Sequence, residues 1–461
     1  MKKSVMLHAS CFMLHVSCFM TSSALAEDVT RPPPAGWDKI IPGGKFIDRF
    51  ETAGVIGNGW TDNCWGGNNV KPRDVRNGIE DKDYSYWGGN ITKVGNEYHL
   101  FVARWKESVP KGHMFWPHSE IAHAVSNKPN GDFKVVEVLG PGHNPELFRC
   151  KDGSVAVYCI NDERGGKAHL YRAPDVKGPW KYERMQLDLN GRDKPLAGES
   201  NFSFCSRPDG SVLAVCRGGG IWLSEDGLKP FVQQTGCVYP KVSGRFEDPV
   251  LWRDEVQYHL IVNDWLGRVA WYLTSPDGFD WTVQPGEAYT PGIAKVKAPD
   301  GSVVTNDWYK FERMRVLQDQ YGRVVQANFA VIDCEKKRDR GGDIHSSKNI
   351  TIPMNPGRRI SEIRLVKEGW QLRIASEPGF KSLTDVDVDS LIFGPQSLVA
   401  FGQGLKPIKT GERGGDLYLT FPYCDFDCKT LKLLGREKSG RLFFATAVIS
   451  PDAGSRGGRP R

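Results

Sequence analysis

The chain has 461 residues, with 61 Lys and Arg against 55 Asp and Glu and a formal net charge of +6. The small excess is spread along the chain, its densest run being Lys336-Lys337-Arg338 with Arg340, which argues against a nucleic-acid surface because that needs a concentrated basic stripe. Aromatic residues at 11%, with 51 Gly and 29 Pro, favour short strands and tight turns over long helices.

In chain order, residues 1–26 read as an export signal. Lys2 and Lys3 precede an apolar stretch, and Ala24-Leu25-Ala26 offers a small-residue cleavage site before Glu27. The stretch holds a near duplication, Met6–Met13 against Met13–Met20. Neither Cys11 nor Cys18 has the apolar residue three places earlier that a lipoprotein signal uses. Cleavage takes away two lysines and no acid, lowering the net charge from +6 to +4, and leaves nine of the 11 cysteines. Cys150, Cys159, Cys205 and Cys216 lie in apolar runs and read as buried thiols. Cys424 and Cys428 are close enough for a small loop disulfide, and no CxxC pair with zinc spacing exists. No later segment is long and apolar enough to span a bilayer. The mature chain is expected to be soluble and secreted or periplasmic, with 27–74 as an N-terminal extension.

From about residue 75 to 355 the chain carries an internal repeat. Its units open on Trp87-Gly88-Gly89-Asn90, His143-Asn144-Pro145, Ser200-Asn201-Phe202, Glu247-Asp248-Pro249 and Phe311-Glu312-Arg313. Each opening leads through a turn to a second strand: YHLFVARW, SVAVYCI, SVLAVCR, YHLIVND and RVVQANFAV. Aligning Asn144, Asn201, Asp248 and Arg313 gives steps of 57, 47 and 65 residues, the length of a four-stranded blade. An offset element, from Ala124, Tyr171, Ile221 and Tyr272, ends a strand in a Pro/Asp/Gly turn followed by an aromatic. After residue 355 the pattern changes to half-buried alternation, as in EIRLVKEGWQLRIAS and GRLFFATAVIS. The expectation is an all-β chain: a five-bladed β-propeller over 75–355, then a small β-sandwich-like accessory domain over 356–450. The Gly- and Arg-rich tail, 451–461, is expected to be disordered.

FEDPVLW followed by YHLIVND, the GPW turn, and FERMRVL followed by a glycine turn resemble the five-bladed propeller glycoside hydrolases. The group is that of glycoside hydrolase family 43, with the related anhydrogalactosidases of family 117, and the resemblance covers roughly Asp83 to Ala330. It implies that the first residues of the innermost strands face a central cleft holding three acids: a base in blade one, a pKa-tuning Asp in mid-chain and a general acid Glu. On that pattern Asp248 matches the tuning Asp or another central carboxylate, and Glu312 the general acid. Blade one departs from it, carrying Gly88-Gly89-Asn90, so Asp83 is the nearest substitute for the base.

Glycosidic cleavage needs two carboxyls across the bond, one giving a proton and one activating water or attacking. Glu247 beside Asp248 supplies the like-charge coupling that keeps an acid protonated; the competing reading is a turn that caps the strand start, and for Glu312-Arg313 an inter-blade ion pair. Arg104 and Arg217 are candidates for sulfate or carboxylate groups, against a structural role between blades, and Arg313 is a candidate for the funnel lining. Trp87 and Trp265 are candidate sugar platforms or core aromatics. His143 is a candidate donor or a structural histidine, and Asn144, Glu199, Asn201 and Asp264 complete the expected funnel lining. His113, His118, Glu120 and His123 invite a metal-site reading that needs convergence; the alternative puts Glu120 at the cleft rim. Ser224 and Ser275 lie in turns without a His–Asp partner, against a serine hydrolase.

The sequence thus predicts an exported, exo-acting glycoside hydrolase that removes a terminal sugar from a complex plant or algal polysaccharide, anionic on the hint of the arginines, by inversion. No metal is assigned to the site and no cofactor is required, with a structural calcium ion in the central channel left open. The partner is a poly- or oligosaccharide, neither nucleic acid nor membrane, in an oligomeric state left open. The rival readings are a non-catalytic carbohydrate-binding propeller and, below it, a polysaccharide lyase.

Overall fold

A computed structural model describes residues 31–56, 59–61, 72–161, 168–341 and 347–449. The expected export signal and the expected disordered tail lie outside the described residues. Helix among them is limited to isolated turns such as Ser382–Asp385 and Gln396–Val399, and the all-β expectation holds.

Five antiparallel sheets follow one another along the chain. Sheet one holds Tyr84–Val94, Glu97–Lys106, Glu120–Ser126 and Lys134–Pro141; sheet two His143–Arg149, Val155–Ile160, His169–Ala173 and Lys181–Arg184. Sheet three holds Ser203–Ser206, Val212–Val215, Ile221–Ser224 and Phe231–Gln233, to which Leu187–Asp188 adds in parallel. Sheet four holds Phe246–Arg253, Tyr258–Asp264, Val269–Ser275 and Thr282–Glu287; sheet five Lys310–Gln318, Val324–Ile332 and Lys348–Pro353. The first strand of each sheet packs on the first strands of its two neighbours, and that of sheet five packs back on that of sheet one, so the five strands close a ring.

Packing between sheets explains the strand sequences. One apolar cluster fills each junction; Phe148, Tyr158, Phe204 and Trp222, for example, join sheets two and three, and Val250, Ile261, Met314 and Phe329 join sheets four and five. Sheets covered on both faces call for continuous apolar strands, and Val155–Ile160 and Tyr258–Asp264 are buried along their whole length. The outer strand Lys134–Pro141 instead alternates exposed and half-buried residues. Asp-Gly-Ser turns recur at Asp152, Asp209 and Asp300, each carboxylate accepting the serine backbone N–H at 2.9–3.0 Å while the glycine takes a φ of 84–89°.

Chain upstream of sheet one locks the ring. Ile79 bridges Asn349 on the free edge of sheet five while Gly78 N–H donates to Asn130 O of sheet one. Trp37 and Phe46 insert into the clusters between sheets three and four and between four and five. Beyond sheet five, Ile360–Val366, Gly369–Ile374, Asp416–Pro422 and Lys409–Arg413 form one sheet, and Val386–Pro395, Thr430–Glu437 and Leu442–Val448 another. The two sheets share a single core built on Leu372, Phe393, Leu419, Phe421 and Leu433. Arg323–Glu377 and Arg359–Glu255 pairs, both 2.9 Å, tie this unit to the ring. Cys150, Cys159, Cys205 and Cys216 are buried free thiols, as expected; Cys424 and Cys428 are also free, so the loop disulfide is not formed.

Each innermost strand turns at a residue in the left-handed region, within the strand or, for Asn201, two residues before it: Gly88 (φ 65°, with Gly89 beside it), Asn144 (54°), Asn201 (47°), Asp248 (55°) and Arg313 (50°). In sheets one, two, four and five the pairing register shifts there, the mark of a β-bulge that bends the strand and re-aims the preceding side chain. Gly88 and Gly89 both have positive φ, but their surroundings differ. A Cβ on Gly88 would stand 3.5 Å from Asn144 Oδ1, an ordinary contact, whereas one on Gly89 would collide with the Phe101 carbonyl oxygen. Gly88→Asn should therefore cost no more than about 1 kcal/mol, and Gly89→Ala more than about 3 kcal/mol, in urea unfolding. Equal costs would contradict this geometry.

Candidate active site

The residue before each left-handed position turns into the funnel. Trp87, His143, Ser200, Glu247 and Glu312, one per sheet, line a single cavity of ≈ 380 Å³. Loops leading from second to third strands build its walls: Met114 and Trp116 from Gly112–His118, Arg217 from sheet three, Trp265 from sheet four, and Glu335, Lys336 and Lys337 from sheet five.

Below the cavity the left-handed residues form a polar hub. Arg313 Nη1 donates to Asp248 Oδ1 at 2.8 Å and Arg313 Nη2 to the Asn144 carbonyl at 3.3 Å. Asn144 Nδ2 donates to Asn201 Oδ1 at 3.2 Å, and Asn201 Nδ2 reaches Asp248 Oδ1 at 3.1 Å and Glu247 Oε1 at 2.8 Å. Arg313 and Asp248 are 1% and 2% exposed, so neither charge is stable there without the other. The inter-blade ion pair weighed for Arg313 is thus present, with Asp248 as its partner.

The two cavity glutamates stand in different electrostatic settings. Burial pushes the Glu247 carboxyl up to about 7, the Asp248 charge adds to the rise, and Arg217 and Lys336 oppose it. Arg217 Nη1 stands 3.4 Å from Glu247 Oε1. Glu312, by contrast, is ion-paired with Lys336, with the Lys310 ammonium 3.7 Å away. Lys336 also lies over the Trp87 ring, 4.7 Å from its centre, and Lys310 over Trp265 at 4.9 Å. Burial and the Arg313 and Lys336 charges push the His143 imidazole well below its usual value, leaving it neutral. Ser119 Oγ donates to Gly142 O at 2.9 Å and meets His143 Nδ1 at 3.0 Å, so Nδ1 carries the ring proton. This is a structural histidine.

Of the residues expected at the site, Trp87, His143, Asn144, Asn201, Arg217, Glu247, Asp248, Trp265 and Glu312 line the cavity, and Arg313 sits in the hub beneath. Five stand elsewhere. Asp83 is exposed on the turn before sheet one, its N–H held by Asp81 Oδ1 at 2.8 Å. Arg104 is paired across its own sheet with Glu120 at 2.8 Å and stacked on Tyr84, so neither lines the cavity. Glu199 is exposed one residue short of Ser200. Asp264 is buried, accepts Arg245 and Gly267 N–H at 2.9 and 3.1 Å and pairs with Arg31, which makes it a loop anchor.

The histidines that invite a metal-site reading do not converge: His113 faces the cavity, His123 pairs with His99 at 2.9 Å and with Glu137, and His118 packs on Phe115. No metal-holding group of His, Cys, Asp and Glu occurs among the described residues. Sequence reasoning missed Trp116, Lys310 and Lys336 as site residues. For Lys336 a signal was present, since the densest basic run follows the second strand of sheet five, as Arg217 follows that of sheet three.

No protein-family model and no curated protein sequence matches the chain. Among solved structures it is similar to the catalytic domain of a family 62 α-L-arabinofuranosidase from Coprinopsis cinerea, at 12% identity and a TM-score of 0.44 over 64% of this chain and 96% of that one. It is also similar to a family 117 glycoside hydrolase of the marine bacterium Zobellia galactanivorans (13%, TM-score 0.41, 61% and 88%) and to a thermostable family 43 glycoside hydrolase (12%, 0.36, 63% and 93%).

The hub predicts a non-additive pair of substitutions. Arg313→Met alone leaves the Asp248 charge buried and should cost about 3–5 kcal/mol. Asp248→Asn in the same background should recover part of that loss, as read by urea denaturation. Additive costs would show that the two charges do not depend on each other.

Proposed function

We propose that the chain is an exported, exo-acting glycoside hydrolase in which Glu247 is the general acid and Glu312 the base. The reading rests on one observation: two carboxyls face the same cavity, the half-buried Glu247 inclined to keep its proton near neutral pH and the buried Glu312 set between two ammonium groups. That is the division of labour glycosidic hydrolysis requires. It reverses the role expected for Glu312 and moves the base from the first sheet, which has glycines there, to the fifth. Asp248 keeps its expected tuning role, because its charge helps hold the Glu247 proton.

In this mechanism Glu247 gives its proton to the glycosidic oxygen as the bond to the anomeric carbon breaks. A water molecule attacks that carbon from the opposite face and passes its proton to Glu312. Lys336 is ion-paired with Glu312 and also interacts with the Glu247 charge, and the course is read as inverting. Trp87, Trp116 and Trp265 offer ring faces or edges to the sugar. The hub closes the floor, which suits a chain end better than a chain middle. The five sheets are read as the blades of a five-bladed β-propeller over 75–355, and the two sheets after it as a β-sandwich accessory domain over 356–450. No cofactor enters the reaction, and the positive charge at the ring centre is that of Arg313.

Mature protein from Glu27 is tested on plant and algal glycans by chromatography of released sugars. Glu247→Gln should lower kcat on glycans by about 10²–10⁴-fold yet spare aryl glycosides whose leaving group needs no proton; Glu312→Gln should lose both. Activity should fall as pH rises through about 7, where Glu247 gives up its proton, and the first-formed sugar should show inverted configuration by NMR. Unchanged activity in both variants contradicts the assignment, and binding without release favours the non-catalytic reading.

A further inference from the structure

The charged groups around the cavity do not balance. Asp248 is neutralised by Arg313 at 2.8 Å, Glu312 by Lys336 with Lys310 3.7 Å away, and Glu335 by Arg338 at 3.0 Å. Two cations on the walls are left over. Arg217, with 45% of its side chain exposed, has Glu247, at 3.4 Å, as its one carboxylate partner among the described residues. That carboxyl also accepts Asn201 Nδ2 at 2.8 Å and, as the acid, carries a proton when substrate enters. Lys337 is exposed, lines the cavity and has no acidic partner among the described residues. In ring order, Arg217 of sheet three and Lys337 of sheet five stand on either side of Trp265 of sheet four.

We propose that the sugar bound in this cavity carries an anionic substituent, a carboxylate or a sulfate ester, and that Arg217 and Lys337 are the specificity-determining residues that receive it. The proposal rests on the hydrolase reading for its site and for the proton on Glu247 that leaves Arg217 uncompensated; the exposed Lys337 does not depend on that reading. A guanidinium offers two parallel N–H donors matched to a carboxylate or sulfate edge, and an ammonium adds a charge that needs no fixed geometry. A neutral sugar would leave both cations facing solvent and so gain nothing from them. An acidic one gains two charge-assisted contacts where water is partly displaced.

Two matched sets of substrates separate the sources of the anion: 4-nitrophenyl uronides against the corresponding neutral hexosides, and sulfated against desulfated algal galactan oligosaccharides. We expect kcat/KM at least about tenfold higher for the acidic member of one set. KM should rise as salt goes from about 0.05 M to about 0.5 M. Arg217→Gln, with Lys337→Gln beside it, should raise KM for the acidic member more than for the neutral one, so that the preference disappears. Equal or better turnover of the neutral members overturns the proposal while the hydrolase reading stands. If nothing is cleaved, the hydrolase reading falls and calorimetry decides: tighter binding of the acidic member supports the charge argument, and equal or absent binding overturns it.

Discussion

The buried pair of Arg313 and Asp248 holds the centre of the ring, and much else follows from it. Five innermost strands converge on one axis, and each must bend there to let its neighbours approach. The bend places one residue per strand in the left-handed region, where asparagine, aspartate and glycine fit most readily. Four of the five positions obey that preference. Arg313 does not, and its side chain compensates by bonding across the ring to Asp248 and to the Asn144 carbonyl. Conformational strain at one strand is thus offset by an ion pair that ties sheets two, four and five together.

The same pair prepares the chemistry above it. Asp248, ion-paired with Arg313, follows Glu247 in the chain, and its negative charge works with burial to raise the neighbouring carboxyl. Glu312 precedes Arg313 and is turned toward the cavity by the same bulge. Two adjacent residues in each of two strands therefore do separate tasks, the second holding the ring and the first facing the ligand. The stability of the floor and the acidity of the site are aspects of one charge arrangement.

This division decides how much was legible in the sequence. The repeat of Asn144, Asn201, Asp248 and Arg313 could be aligned because the left-handed position recurs at a fixed place in every unit, and the structure gives each of them positive φ. Continuous apolar second strands were equally visible, since burial on both faces leaves no polar positions. The cavity walls were not legible, because Trp116, Lys310 and Lys336 come from segments whose course is set by packing and has no period. Asp83, Arg104 and Glu120 were chosen for nearness along the chain, which in a strand says nothing of the end or face a side chain serves. Arg104 and Glu120 are instead cross-strand partners in the outer part of one sheet.

Ring closure by Asn77–Ile79 has a consequence for the order of assembly. The segment that Ile79 and Asn77 meet, Asn349–Thr351, lies some 270 residues downstream, so the ring cannot shut until nearly the whole repeat has been synthesised. Contacts of such sequence separation make folding slow, because the entropy of joining distant segments is lost before the joint stabilises anything. Partial rings would keep an open sheet edge and unfilled junctions, and so remain loose. Under the proposed export such delay would be useful: the last contact to form would postpone the compact state until the polypeptide had passed through a membrane.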